Sequence, residues 1–273
     1  MTNQKGYRRA AIIFLVIWLA FVFVPLITMV VWAFTDSWPF PDLLPQNFTL
    51  RGFEKAATIA GTDLVSLTVF SVLVAVAISV LSVVVATLTA RAISFHRFPG
   101  RNIWRFAVIL PFIIPSSAFA MGVQSVFTRM GLSGTVLGVI LAVTIIVMPY
   151  AISIMIDVMD AAGNKLEEQA AVLGASKWQI VRDAIIPSIL PGLLSAASLS
   201  YIVAFMQYFI VFLVGIGSVK TLAVVMFPFL AGADRTVGAV FSLIFVGVSF
   251  CVFLLFNFIL KKCGIKEEVQ LYH

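Results

Sequence analysis

Residues 64–90 read LVSLTVFSVLVAVAISVLSVVVATLTA, an unbroken run without one Asp, Glu, Lys or Arg. A helix that crosses a bilayer needs about 20 predominantly apolar residues, since each adds about 1.5 Å to a path of roughly 30 Å of hydrocarbon. Hydrocarbon offers no water to the backbone, so such a run pairs its amides internally as a helix. Outward from this run the pattern recurs at about Ala10–Phe34, Phe106–Phe127, Leu132–Ile156, Gly192–Val214 and Val237–Leu260. None of these stretches carries a charge in its interior. The sequence therefore predicts an all-α membrane protein with six transmembrane helices, organised as one transmembrane domain over residues 1–273.

Composition agrees: 62% of the residues are apolar and 11% charged, and the mean hydropathy is +1.11. Soluble domains run about 45–50% apolar and about 25% charged. A soluble enzyme, a disordered chain and a nucleic-acid module are excluded, and no nucleic-acid partner is expected. The net charge of +6 fits the excess of Lys and Arg that cytoplasmic loops carry. Cys251 and Cys263 have no partner at ligand or disulfide spacing, so neither a metal site nor a disulfide framework is expected. The first span is not a signal peptide: its apolar run exceeds the 7–15 residues of such a leader, and Thr35-Asp36-Ser37-Trp38 follows where a small-residue cleavage site belongs.

Orientation follows from the basic residues. One side of six spans holds Lys5, Arg8, Arg9, Arg91, Arg97, Arg101, Arg105, Lys165, Lys177, Arg182, Lys261, Lys262 and Lys266. The other holds only Arg51, Lys55, Arg129, Lys220 and Arg235. The richer side is cytoplasmic, which puts both termini and the loops 91–105 and 157–191 inside. Trp32, Trp38 and Trp104 fall at span ends, where amphipathic rings prefer the interface.

Pro111 and Pro115 fall early in the third span and Pro149 late in the fourth. Each predicts a kink, read either as lying beside a translocation path or as ordinary packing. Gly134 and Gly138 have the spacing of a close helix contact. Residues 35–63 are loop-like around Trp38-Pro39-Phe40-Pro41. Residues 215–235 include Thr221–Phe227, apolar but too short to span, and read as a short external or re-entrant helix. Gly215 and Gly217 permit a hinge there, and Lys220, Asp234 and Arg235 offer charges to a docked protein.

The loop 157–191 reads DVMDAAGNKLEEQAAVLGASKWQIVRDAIIPSILP. Its pattern predicts a helix, a turn at Gly174 and a second short helix that Pro187 and Pro191 end. Ser176 and Gln179 have capping-box spacing. The loop is too short for a core of its own. Trp178, Val181, Ala184 and Ile185 are left to pack on the bundle or on a partner, as an amphipathic helix packs into a groove.

Glu168-x-Ala170, then Gly174-Ala175-Ser176, then Ile185-Ile186-Pro187 and Pro191 resembles the EAA motif of type I ATP-binding-cassette (ABC) importer permeases. Gln169 stands where Ala is usual and Ile186 where Leu is usual, with the spacing kept. The likeness extends over nearly the whole chain and is nearest to the polyamine (spermidine/putrescine)-type inner-membrane permease, whose group also holds phosphonate systems. It implies a multi-pass subunit of the bacterial cytoplasmic (inner) membrane that pairs with a second permease, a relative rather than a copy. The loop 157–191 would couple it to an ABC ATPase dimer through Glu168, Ala170, Gly174, Ala175, Ser176, Trp178 and Pro187. An extracytoplasmic substrate-binding protein would deliver a small polar solute such as a polyamine, a phosphonate or a related organic ion.

The chain is not expected to be an enzyme. The nearest approach to a P-loop, Gly215–Thr221, has Val219 where Gly is required, so ATP and Mg would be bound by the partner ATPase and no cofactor by this chain. His96 and His273 lack a companion base and nucleophile. An ion-coupled secondary transporter or channel is the competing reading; charge-free spans remove an obvious proton relay, while sodium coupling through carbonyls stays open. Polar groups placed to line a pathway are Gln124, Ser125, Ser198, Tyr201, Gln207 and Tyr208. Some polyamine permeases carry acidic residues in the fifth span; Gln207-Tyr208 has no carboxylate, which weakens a cationic substrate.

Overall fold

A computed structural model describes residues 4–38, 42, 44–59, 63–232 and 234–262. Cys263, Lys266 and His273, and the loop residues 39–41 and 43, lie outside the described residues. The long helices are α1 (Gln4–Ala33), α3 (Leu64–Phe95), α6 (Val136–Ala162), the continuous rod Lys177–Phe205, and α12 (Arg235–Lys262). Each is long and apolar enough to cross a membrane. The remaining expected span, third in the chain, corresponds to two helices, α4 (Arg101–Ile113) and α5 (Ser116–Arg129), which are long and apolar enough to cross only when taken together. Shorter helices are α2 (Arg51–Ile59), α7 (Lys165–Val172), α10 (Phe209–Gly215) and α11 (Leu222–Leu230).

Three expectations are corrected. The third span is not one kinked helix: its halves meet at 101°. The cause is local, since Pro115 disfavours the helical region for the residue before it, and Ile114 is extended at φ −78°, ψ 129°. In the fifth span the helix stops at Phe205 and restarts as α10 at Phe209. Nor do Pro187 and Pro191 end a helix. The rod runs α8 (Lys177–Gln179), a π turn (Ile180–Ile185), then α9 (Ile186–Phe205). In the π turn the Ile186 amide reaches back five residues to the Val181 carbonyl. This wider turn, set just before Pro187, takes up the clash a proline ring makes with the carbonyl four residues earlier. The Ser188 hydroxyl donates to the Ile185 carbonyl at 2.7 Å.

The chain clusters into two compact units. The first comprises residues 1–66 and 225–247. There the chain leaving α1 folds back on itself: Thr35 bridges Phe48, and the Thr49 amide donates to the Phe34 carbonyl at 2.8 Å. Helix α2 crosses α12 at Gly52, where a Cβ would stand 2.8 Å from Thr236 Cγ2. The Thr236 hydroxyl donates to the Thr35 carbonyl at 2.8 Å. Asp234 draws Lys55 to 3.2 Å and Arg51 to 3.7 Å. Trp38 packs on Trp32 with ring centres 5.3 Å apart.

The second unit comprises residues 67–224 and 248–273. One cluster of its core joins Ala86 and Ala90 of α3, Ala151, Met155 and Met159 of α6, and Ile189 and Ala196 of α9. Small residues let apolar helices approach where no hydrophobic drive separates helix from lipid. At Gly192 the approach is closest, since a Cβ there would lie 2.3 Å from Val158 Cγ2. The Ser79 hydroxyl ties α3 to α9 by donating to the Ala197 carbonyl at 2.7 Å.

The glycine pair of the fourth span acts otherwise than its spacing suggests. Gly138 closes its own turn, where a Cβ would meet the Leu132 carbonyl oxygen at 2.1 Å. Gly134 lies before the helix at φ 77°, and its amide donates to the Val214 carbonyl at 2.7 Å. Segment 215–235 does hold a short helix, α11, rooted where the Leu222 amide donates to the Ser71 hydroxyl oxygen at 2.8 Å.

Candidate functional site

Two places in the second unit concentrate polar groups and helix breaks. The first is the loop between α6 and α9. Helix α6 stops at Gly163, whose φ 64° and ψ −176° suit only a residue without a Cβ. Helix α7 follows, and its end is a Schellman motif. The Gly174 amide donates to the Ala171 carbonyl at 3.0 Å and the Ala175 amide to the Ala170 carbonyl at 3.1 Å. Gly174 itself sits at φ 80°. Two residues on, Ser176 opens a capping box: its amide donates to Gln179 Oε1 at 2.8 Å, and the Gln179 amide donates to Ser176 Oγ at 3.4 Å. One helix is thus stopped and the next started within three residues.

This double cap displays an apolar ridge. Leu173 is 86% exposed and Trp178 69%, beside exposed Val172 and Leu166. The polar side of the loop is held inward. Glu167 pairs with Arg91 of α3 at 2.5 Å, and Asn164 donates to Glu168 at 2.6 Å. A cleft of about 730 Å³ lies between, reached also by His96 and Lys177. Arg105 at the start of α4 pairs with Asp160 at the end of α6 at 2.5 Å.

The second place is a cavity of about 480 Å³ midway along α6. Pro111, Pro115 and Pro149 all line it, with the polar side chains of Ser116, Tyr150 and Gln207. Both broken helices meet there: the α4–α5 break supplies Pro115 and Ser116, and the α9–α10 break supplies Gln207. Irregular backbone at membrane depth is tolerated where protein buries it or a water-filled cavity borders it.

The predicted residues divide accordingly. Ala170, Gly174, Ala175, Ser176 and Trp178 come together in the double cap, Ala170 and Ala175 through their backbones, while Glu168 lines the cleft and accepts from Asn164 at the start of α7. Pro187 stands apart, exposed on the rod beyond the π turn. Of the residues expected to line a pathway, Gln207 lies on the cavity. Tyr201 does not: it is fully buried, stacked on Phe205 with ring centres 5.6 Å apart. Gln124 and Ser198 are half-buried and Ser125 exposed, none on the cavity wall. Tyr208 stacks on Phe212 at 5.8 Å. Sequence reasoning missed Arg91 and Glu167, whose pairing leaves no local pattern, and Gly163, which does carry the signal of a helix stop. It also missed Ser116 and Tyr150, although each adjoins a proline it had marked.

Comparison with known proteins bears on this arrangement. The family model described as "Binding-protein-dependent transport system inner membrane component" matches residues 81–263. PhnV of Salmonella typhimurium, assigned as a 2-aminoethylphosphonate transport system permease, is 23% identical over 97% of this chain and 98% of its own. The osmoprotective compounds uptake permease GgtD of Synechocystis sp. is 33% identical over 48% of this chain and 44% of its own. The sulfate transport system permease CysT of Escherichia coli is 25% identical over 60% of this chain and 63% of its own. The fold resembles a bacterial ABC transporter involved in alginate import, with TM-score 0.67 and 16% identity over 96% of this chain and 98% of that one. It also resembles the MetNI methionine ABC transporter, with TM-score 0.56 and 18% identity over 73% of this chain and 97% of that one. These likenesses favour an importer subunit over an ion-coupled carrier, and the chain belongs to the family of binding-protein-dependent transport system inner membrane components, the permease subunits of ABC importers.

Proposed function

We propose that the loop 157–191 is the surface through which separate ATPase subunits drive this permease. One observation carries the reading: an exposed apolar ridge is held on a double-capped turn that continues directly into a 29-residue helix. A groove on an ATPase that takes Leu173 and Trp178 would move Lys177–Phe205 as a body. Rigid motion of such rods against their neighbours is the hinge-and-shear repertoire that alternating access uses. The excess of Lys and Arg on the loop's side supports a cytoplasmic location for it and for both termini. ATP and Mg then belong to the ATPase subunits, and a second, related permease completes the pathway. A binding protein on the opposite face hands over a small polar solute.

Gly174→Val tests the reading. A β-branched residue at φ 80° costs more than the roughly 1–2 kcal/mol of an ordinary side chain there, so the turn reshapes and the ridge misaligns. Membrane insertion should stay normal, because it depends on apolar length. Recovery of the ATPase subunits with the purified chain, or uptake of the solute carried by the cognate binding protein, should fall at least about ten-fold, the equivalent of about 1.4 kcal/mol. Normal recovery together with normal uptake would return the loop to a solvated connector.

A further inference from the structure

We infer that the cavity at the meeting of the two helix breaks is a solute-contact site of the pathway, and that it selects small uncharged polar solutes. The inference rests on the permease reading and specifies the substrate class of that pathway. Three observations meet at this one place. The cavity is the size of a small solute, about 480 Å³, within the range of ligand pockets. Its wall is built from interrupted helices, and Pro149 withholds from α6 the amide that would pair with the Ile145 carbonyl. Its polar side chains, Ser116, Tyr150 and Gln207, are all uncharged.

The charge argument decides the class. An ion of either sign leaving water for an apolar wall loses solvation worth several kcal/mol unless an opposite charge replaces it. No Asp, Glu, Lys or Arg lines this cavity among the described residues. The amide of Gln207 and the hydroxyls of Ser116 and Tyr150 both donate and accept. They can replace the water around an uncharged polar solute. A polyamine, like a free anion, would meet no counter-charge here.

Charged thiol reagents can read the cavity without knowledge of the natural solute. The assembled importer, with Cys251 and Cys263 replaced by Ser, would carry Gln207→Cys or Ser116→Cys. The probes are a neutral, an anionic and a cationic methanethiosulfonate, each rate normalised to reaction with a free thiol. At both positions the neutral reagent should react at least about ten-fold faster than either charged one. With Gln207→Glu added to Ser116→Cys, the cation-to-anion rate ratio should rise about ten-fold, because a charge within several ångströms in a low-dielectric site is worth more than 1 kcal/mol. A charged reagent that reacts as fast as the neutral one at the Gln207→Cys site, no reaction with the neutral reagent, or an unchanged ratio in the double variant would overturn the inference. A correct charge order that ignores trapping of the ATPase with ATP and vanadate would support the cavity and count instead against coupling through 157–191.

Discussion

The double-capped turn at 170–179 and the cavity at the helix breaks are built by opposite means. The hydrogen bonds that cap the turn join residues no more than five positions apart: Ala170 with Ala175, Ala171 with Gly174, Ser176 with Gln179. The cavity joins residues from 111 to 207 through the packing of α6 on α9. A local device tolerates change around it and fails only at the few residues that hold its dihedrals. A cavity set by packing fails when distant helices shift. Substitutions that separate these two dependences test the contrast.

The largest effect is expected at Gly192, far from both the ridge and the cavity. Its absent Cβ lets α9 seat against Val158, and an added methyl would begin 2.3 Å from Val158 Cγ2. Gly192→Leu forces the helices apart, with an overpacking cost of about 1–3 kcal/mol or more. The cavity depends on the spacing of Pro149 and Gln207, so uptake should fall along with thermal stability. The turn at 170–179 is held by its own hydrogen bonds, so ATPase subunits should still co-purify. Gly192→Ala paired with Val158→Ala should recover most of the stability that Gly192→Ala alone loses, measured as the apparent melting temperature in detergent. Additive losses in that pair would show that α6 and α9 do not meet there.

A smaller and purely local effect is expected at Ser176. Removing an N-cap hydroxyl costs a helix about 0.5–2 kcal/mol. Ser176→Ala should loosen the start of the rod and lower recovery of the ATPase subunits a few-fold, while Ser176→Asp, which can still cap, should restore it. Reagent access at Gln207→Cys in the nucleotide-free state should be unchanged. A shift in that access would show that the cap and the cavity are one cooperative device rather than two.

The same contrast governs what could be read from the sequence. Span existence was legible because apolar length is a property of the chain alone. Gly174 and the Ser176–Gln179 box were legible because caps are local grammar, and the family resemblance rested on those residues. The 101° break at Ile114–Pro115 was legible only as a kink, since a proline announces a bend and tertiary packing sets its angle. The break at 206–208 carries neither Gly nor Pro. Pro187 misled, because a proline stops a helix only where the preceding turn cannot widen. Tyr201 misled as well: a polar side chain in an apolar span reads equally as a pathway group or as a core aromatic, and burial against Phe205 and Phe256 decides it.

The smallest effect concerns a second left-handed turn, between α10 and α11. There a residue other than glycine also enters the left-handed region: Ile216 adopts φ 47°, ψ 40°, next to Gly217 at φ 72°. A β-branched side chain in this region is an outlier, and sparsely populated backbone conformations of this kind cost about 1–3 kcal/mol. Ile216 is 57% exposed, so truncation gives up little buried surface. Asn enters the left-handed region far more readily and carries none of glycine's extra unfolded-state entropy. Ile216→Asn should therefore raise the apparent melting temperature by a few degrees, as about 1 kcal/mol does in a chain of 150–250 residues. Ile216→Val keeps the branched Cβ and should leave it unchanged. If Asn destabilises instead, the Ile216 side chain is held by a neighbour in the assembly, and the strain at this turn is offset by that contact rather than carried by the isolated subunit.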